Sequence, residues 1–297
     1  MGVPRRAVLA GVAGVVAATG FAVERTHPGI GRHLRALLEP AHHQPRPTEA
    51  PGVKINGTFI SASMRGDRIG WTVAYPPGHE PGSSIPVCVA MPGRGSDHKN
   101  AFSSIALDRY LTRLVNAGIP AFAVASVDGG DHAYWHPRSS GEDPMSMLVG
   151  QFVPLLKNKG LDTNRLGLMG WSMGGFGAII LAEKMPALRV RAVAASSPAL
   201  WHKASQTPDG AFDSAGDFAR YDAFAGRDQL AGIPVRVACG ESDPFYAASK
   251  DFVRGLPWAS GTDFRPGGHD DAFWRDVAPG QLAFMGHALT AARVASS

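Results

Sequence analysis

Arg165-Leu-Gly-Leu-Met-Gly170-Trp-Ser172-Met-Gly174-Gly-Phe-Gly-Ala-Ile-Ile-Leu-Ala-Glu-Lys184 decides how the rest of the chain is read. Its first five residues have the length and apolar character of a strand, and Gly175 to Lys184 read as a helix. Between them stands Gly170-Trp-Ser-Met-Gly174, the chain's one match to G-x-S-x-G. In a chain with 36 Gly the pentapeptide alone says little. Its setting says more, because strand, tight turn and helix in that order make a nucleophile elbow. Such a turn holds its serine in a strained conformation with the hydroxyl exposed, and the glycines on either side allow close backbone approach. The helix N-terminus behind it favours negative charge developing nearby.

Outward from this stretch, short β-rich runs alternate with longer runs of helical period. Strands are expected near 53–60, 69–75, 86–91, 120–126, 165–170, 190–195, 234–239 and 262–265. Helices are expected near 101–117, 144–158, 174–185, 213–230, 245–255 and 271–291. Pro86-Val-Cys-Val-Ala-Met91 and Pro234-Val-Arg-Val-Ala-Cys239 are almost continuously apolar, as strands covered on both faces are. The alternation predicts an α/β layer fold with a mostly parallel eight-stranded sheet and helices on both faces, one domain over residues 53–297.

Ahead of it, Arg5-Arg6 precede an uncharged run from Ala7 to Val23, the order of an export signal and of the twin-arginine kind. As a helix the run would rise about 26 Å, the lower edge of a membrane span, so residues 1–23 read as a cleaved signal or a signal anchor. The chain is thus expected to be exported and secreted or tethered to the membrane or cell wall. Residues 24–52 carry Pro28, Pro40, Pro45, Pro47 and Pro51 and read as a spacer.

Composition narrows the function. Of 297 residues 44% are hydrophobic and 18% charged, too apolar for disorder. The 29 basic and 25 acidic residues are scattered singly, so nucleic acid is excluded as a partner. Neither C-x-x-C nor H-E-x-x-H spacing occurs, and no metal is expected. Gly93-Arg-Gly95 is no dinucleotide fingerprint, since His98 stands where the third glycine belongs, so no cofactor is expected either. Cys88 and Cys239 fall on strands that are not neighbours and are expected as free thiols.

A nucleophilic serine needs a base and an orienting carboxylate on loops at the carboxyl ends of later strands. His269, in Arg265-Pro-Gly-Gly-His269, follows the last strand and precedes the last helix, which suits the base better than His132, His136, His202 or His287. Asp243, in Cys239-Gly-Glu-Ser-Asp243-Pro, follows the penultimate strand and is the choice for the acid, with Glu241 the alternative. Asp270 and Asp271 read as caps of the final helix. Two N–H groups must meet the oxyanion: that of Met173, after the nucleophile, and that of Arg94 or, next, Gly95 in the loop after the third strand.

Together, Gly170-Trp-Ser-Met-Gly-Gly175, Cys239-Gly-Glu-Ser-Asp243 and Gly268-His269 with Trp274 resemble the esterase D branch of the α/β-hydrolases over residues 53 to 291. That branch includes S-formylglutathione hydrolases and secreted mycobacterial mycolyltransferases. Gly130-Asp-His-Ala-Tyr134-Trp135 is similar to the aromatic loop after the fourth strand in its exported members. The resemblance implies the α/β-hydrolase fold and acyl transfer through a serine ester, on a small-molecule or lipid acyl ester. Pro92-Gly-Arg-Gly95 departs from the Asp-Gly-Leu loop of the mycolyltransferases, which counts against transfer to a sugar alcohol, and the export signal counts against the cytoplasmic formylglutathione activity. Tyr134, Trp135 and Trp201, with Phe212 and Phe218, are candidates for an acyl pocket. A non-catalytic wall-binding protein on the same fold is the alternative of another class, and it would have no need of a full Ser-Asp-His set. Only about 37 residues, Ser197 to Ile233, lie between the sixth and seventh strands, enough for one or two helices beside the site and too few for a large lid.

Overall fold

The computed structural model describes residues 46–256 and 261–291. The expected export segment and most of the expected spacer lie outside the described residues, as do 257–260 and 292–297.

Eight strands form one sheet: β1 (Lys54–Ser61), β2 (Asp67–Ala74), β3 (Pro86–Met91), β4 (Ala123–Val127), β5 (Asp162–Trp171), β6 (Ala192–Ser196), β7 (Val235–Gly240) and β8 (Thr262–Arg265). Their order is β1-β2-β4-β3-β5-β6-β7-β8. β1, β2 and β4 pair antiparallel, and every pairing from β4 through β3 to β8 is parallel. All eight expected strands are present, and the fold is that of an α/β-hydrolase.

The helices are α1 (Asn100–Ser103), α2 (Leu107–Asn116), α3 (Pro144–Met147), α4 (Val153–Asn158), α5 (Met173–Lys184), α6 (Ala215–Arg220), α7 (Tyr246–Arg254) and α8 (Asp271–Thr290). Strand alternation divides the core in two. Val87, Val89, Leu166 and Leu168 face the layer holding α3, α4, α5 and α7, whereas Cys88, Ala90, Met169 and Trp171 face α1, α2 and α8. Cys88 and Cys239 are both free, on strands separated by two others.

Three expected helices differ in detail. The run expected over 101–117 breaks after Ser103, and Ala106, with φ of 61°, is the N-cap from which α2 starts afresh. The one expected over 144–158 is α3 and α4 joined by a π-helical turn, Leu148–Phe152, next to Pro154, which has no N–H for a regular ladder. The one expected over 213–230 shrinks to α6 and a 3₁₀ turn, Arg227–Leu230. In residues 46–52, at the end of the expected spacer, Glu49 meets α2, accepting from the Arg113 guanidinium at 2.8 and 3.0 Å.

Candidate active site

The loops at the carboxyl ends of the parallel strands carry the site. β5 ends on Trp171, and Ser172 follows with φ 54° and ψ −122° before α5 begins. A left-handed φ on a serine costs on the order of 1–3 kcal/mol and persists only where its surroundings enforce it. Here Ser172 N–H donates to Ser196 O at 3.0 Å, while Ser172 O accepts from Phe176 N–H and Ala199 N–H. The glycines explain themselves by proximity: a Cβ on Gly174 would lie 1.8 Å from Met91 O, and one on Gly170 2.3 Å from Gly174 O.

His269 meets Ser172 across 97 residues of chain and Asp243 across 26. His269 Nδ1 lies 2.8 Å from Asp243 Oδ2, and Nε2 lies 2.9 Å from Ser172 Oγ. Because the carboxylate can only accept, Nδ1 carries the proton and Nε2 is left to accept from the hydroxyl. Asp243, 5% exposed, also accepts from Phe245 N–H at 2.8 Å, which fixes its second oxygen. Glu241 is tied through its backbone to Arg265 O and makes no bond with His269. Asp270 caps α8 by accepting from Phe273 N–H.

Opposite the serine, Gly93 packs on the elbow so closely that a Cβ would stand 3.2 Å from Trp171 and 3.4 Å from Ser172 Cβ. Gly93 O accepts from Ser96 N–H at 3.2 Å. In a trans peptide the N–H points opposite to the carbonyl, so the Arg94 N–H is turned the other way and finds no partner among the described residues. The Gly95 N–H is committed to Asp131 O at 3.1 Å, which leaves Arg94 as the donor of that loop. The Met173 N–H belongs to the first turn of α5, where helices leave donors free.

Ser172 opens into a cavity of about 1190 Å³. Aromatic rings surround it in sequence: Tyr134 to Trp201 at 5.7 Å, Trp201 to Phe245 at 5.3 Å, Phe245 to His269 at 5.3 Å, His269 to Trp274 at 5.1 Å, Trp274 to Trp171 at 6.4 Å. The packing holds the imidazole edge-on between Phe245 and Trp274. Burial pushes the Tyr134 hydroxyl up, against the opposing pull of the Arg94 guanidinium beside it.

Of the residues expected in an acyl pocket, Tyr134 and Trp201 line the cavity. Trp135 does not: it is wholly buried beneath α5, its ring against Gly129 and Gly177. Phe212 packs behind Tyr134 and Trp201, and Phe218 behind Phe212, one layer from the cavity. The sequence reading missed Trp171 and Phe245 as walls. Each sits within two residues of Ser172 or Asp243, which is the signal that could have found them. Among the described residues no group of three His, Cys, Asp or Glu is arranged to hold a metal, and no helix is long and apolar enough to cross a membrane.

The profile of the Esterase family matches residues 61–276, a span that contains every side chain of this constellation. The chain belongs to that family. It is an esterase-type α/β-hydrolase. Among solved structures it is similar to a ferulic acid esterase, at 17% identity and TM-score 0.70, over 82% of this chain and 100% of that one. The fluorophosphonate-binding serine hydrolase F of Staphylococcus aureus aligns at 18% identity and TM-score 0.66, over 80% and 99%. An S-formylglutathione hydrolase from Agrobacterium tumefaciens aligns at 18% and 0.65, over 82% and 97%. At such identities the likeness shows the fold. No curated protein matches the chain in sequence.

Proposed function

We propose that this esterase is a serine carboxylesterase that works through an acyl-enzyme on Ser172. The observation that carries the reading is the unbroken hydrogen-bond chain Asp243, His269, Ser172 beside two unpartnered N–H groups. His269 Nε2 takes the proton as Ser172 Oγ attacks the ester carbon, and Asp243 stabilises the imidazolium. The Met173 and Arg94 N–H groups hold the oxyanion of the tetrahedral intermediate. Collapse expels the alcohol, which receives the proton from His269. Water, activated by the same imidazole, attacks the acyl carbon and releases the acid. The aromatic walls suit an apolar acyl or alcohol portion of a small-molecule or lipid ester.

Labelling with a fluorophosphonate and turnover of p-nitrophenyl butyrate test the reading together: wild-type protein is labelled and active, and Ser172→Ala is neither. Wild-type protein without labelling or turnover refutes it and favours a binding role. The amino-terminal residues Arg5 to Val23 support export of the chain, followed by secretion or tethering to the envelope. Fractionation of cells expressing the full chain, against Arg5→Lys with Arg6→Lys, tests this. Retention of both in the cytoplasm refutes it.

A further inference from the structure

We infer that Trp135 is a positioning residue for the oxyanion loop, its indole N–H holding the Pro92 carbonyl so that the Arg94 N–H stays aimed at the reacting oxygen. The inference rests on the serine-esterase reading above and assigns a role to a side chain that touches no substrate.

Trp135 is 0% exposed, and its Nε1–H donates to Pro92 O at 3.3 Å. Three elements meet on this one ring. A Cβ on Gly129, just after β4, would lie 2.3 Å from it, and a Cβ on Gly177, one turn into the elbow helix α5, would lie 2.4 Å from it. The third element is the oxyanion loop, reached through the hydrogen bond. Tyr134 and Trp135 adopt φ of 48° and 60°, a pair of left-handed side-chain-bearing residues that a free loop avoids. That backbone sends Tyr134 to the cavity wall and Trp135 beneath the elbow.

The loop needs such a tie because of Gly93. A Cβ there would crowd Trp171 and Ser172, yet its absence leaves the Gly93 torsions poorly restrained. Downstream of Gly93 the backbone is held by Ser96 N–H on Gly93 O and by Gly95 N–H on Asp131 O. Upstream, the Pro92 carbonyl is the last group before that glycine, and Trp135 holds it. An indole has one donor and no acceptor, so the hydrogen bond also satisfies a group that would otherwise be buried without a partner. A phenyl ring would fill part of the space without making the bond. Loss of the bond frees the Pro92–Gly93 peptide, from which the Gly93–Arg94 peptide takes its position, and the deficit appears where charge develops on the oxygen rather than in ground-state binding.

The test compares Trp135→Phe, and a second variant carrying benzothienylalanine at position 135, with the wild type. The second keeps the bicyclic shape and replaces the N–H by sulfur. Single-turnover acylation by p-nitrophenyl butyrate should slow about five- to tenfold in both, the rate equivalent of one neutral hydrogen bond, with KM within about twofold. Affinity for a trifluoromethyl ketone that forms a tetrahedral adduct with the serine should fall by the same factor. Unchanged acylation in the benzothienylalanine variant overturns the inference. So does a loss confined to KM or to the melting temperature, which is what a packing role alone would give. Wild-type protein lacking serine-dependent turnover overturns the underlying reading and this one with it, whereas an active wild type with unaffected variants overturns only this one.

Discussion

Glu183→Gln should stabilise the protein at neutral and alkaline pH, and the gain should vanish in acid. Glu183 lies in α5 near its end, 4% exposed, and neither carboxylate oxygen has a hydrogen-bond partner. Gly226 packs so near that a Cβ there would sit 2.1 Å from Glu183 Oε2. Burial pushes the carboxyl up to about 9, with Lys184 and Arg227 pulling it back and Asp222 adding to the rise. In the unfolded chain the same group titrates near its ordinary value of 4.5. Between those two values the folded protein holds a proton that the unfolded chain has released. Stability from this group is therefore full in acid and falls as pH rises, by on the order of 1 kcal/mol per pH unit. At pH 7.5 the loss is on the order of 4 kcal/mol. Glutamine keeps the shape and does not titrate, but its amide also lacks partners, so a net gain of about 1–3 kcal/mol is expected at that pH. Urea unfolding at pH 4, 6 and 8 measures it: the variant should be the less stable protein at pH 4, by about the cost of the unpartnered amide, and should gain steadily on wild type as pH rises until it is the more stable at pH 8. Parallel curves, or a variant less stable than wild type at pH 8, would refute the argument that Glu183 is held neutral.

Ser172→Ala and His269→Ala should each lower p-nitrophenyl butyrate turnover by about three powers of ten or more with the melting temperature preserved, since triad members act as a unit. Asp243→Asn should cost less than either and clearly more than Glu241→Gln, and the opposite ranking would move the acid role to Glu241. Gly174→Ala should destabilise by about 3 kcal/mol or more and abolish turnover, because its Cβ would meet the Met91 carbonyl at 1.8 Å and neither backbone can yield; a folded, active variant would contradict the elbow geometry. Burial pushes both cysteine thiols up, so thiol reagent should find none in native protein and two after denaturation without reductant. Incubated with an acyl ester and trehalose in dilute buffer, the enzyme should release mostly free acid, since the segment from Ser197 to Ile233 forms no large lid; a product dominated by acylated sugar would show an acceptor site that excludes water.

The layers and the meeting of Ser172, Asp243 and His269 were legible because both rest on local pattern. Eight apolar runs of strand length gave eight strands, and the strand-end placement of Asp243 and His269 followed from chain order. What was not legible depended on where backbones turn. The broken helix at Ala106 and the short α6 could not be read from hydrophobic period, which continues across both sites. Trp135 is the instructive case: composition makes an aromatic beside Tyr134 look like a second pocket wall. Its left-handed backbone sends it under the elbow, against Gly129 and Gly177, and neither glycine carries any mark of that contact in the sequence. Phe245 and Trp274 became walls because Asp243 and His269 carry them there, a consequence of three-dimensional convergence that adjacency in sequence only hints at.

Backbone strain gathers where the chemistry is proposed. Among the described residues seven other than glycine have positive φ, and four of them, Tyr134, Trp135, Ser172 and Ser197, follow β4, β5 and β6 on the side where the cavity opens. Each such residue costs on the order of 1 kcal/mol or more, and a loop with no task would relax. Ser197 N–H reaches across to Ala238 O and Ser172 N–H to Ser196 O, so the strained turns are braced by neighbouring strand ends rather than by their own loops. The sheet thus supplies what holds the elbow in an unfavourable conformation. The strain in turn keeps Ser172 Oγ on the His269 side of the turn while the Met173 N–H, one residue on, belongs to the helix. A serine in the extended geometry usual at a helix N-cap could turn its hydroxyl back onto a free N–H of the first turn of α5 instead of the imidazole. The positive φ at Ser172 therefore goes with a hydroxyl that meets the imidazole and leaves the helix uncapped.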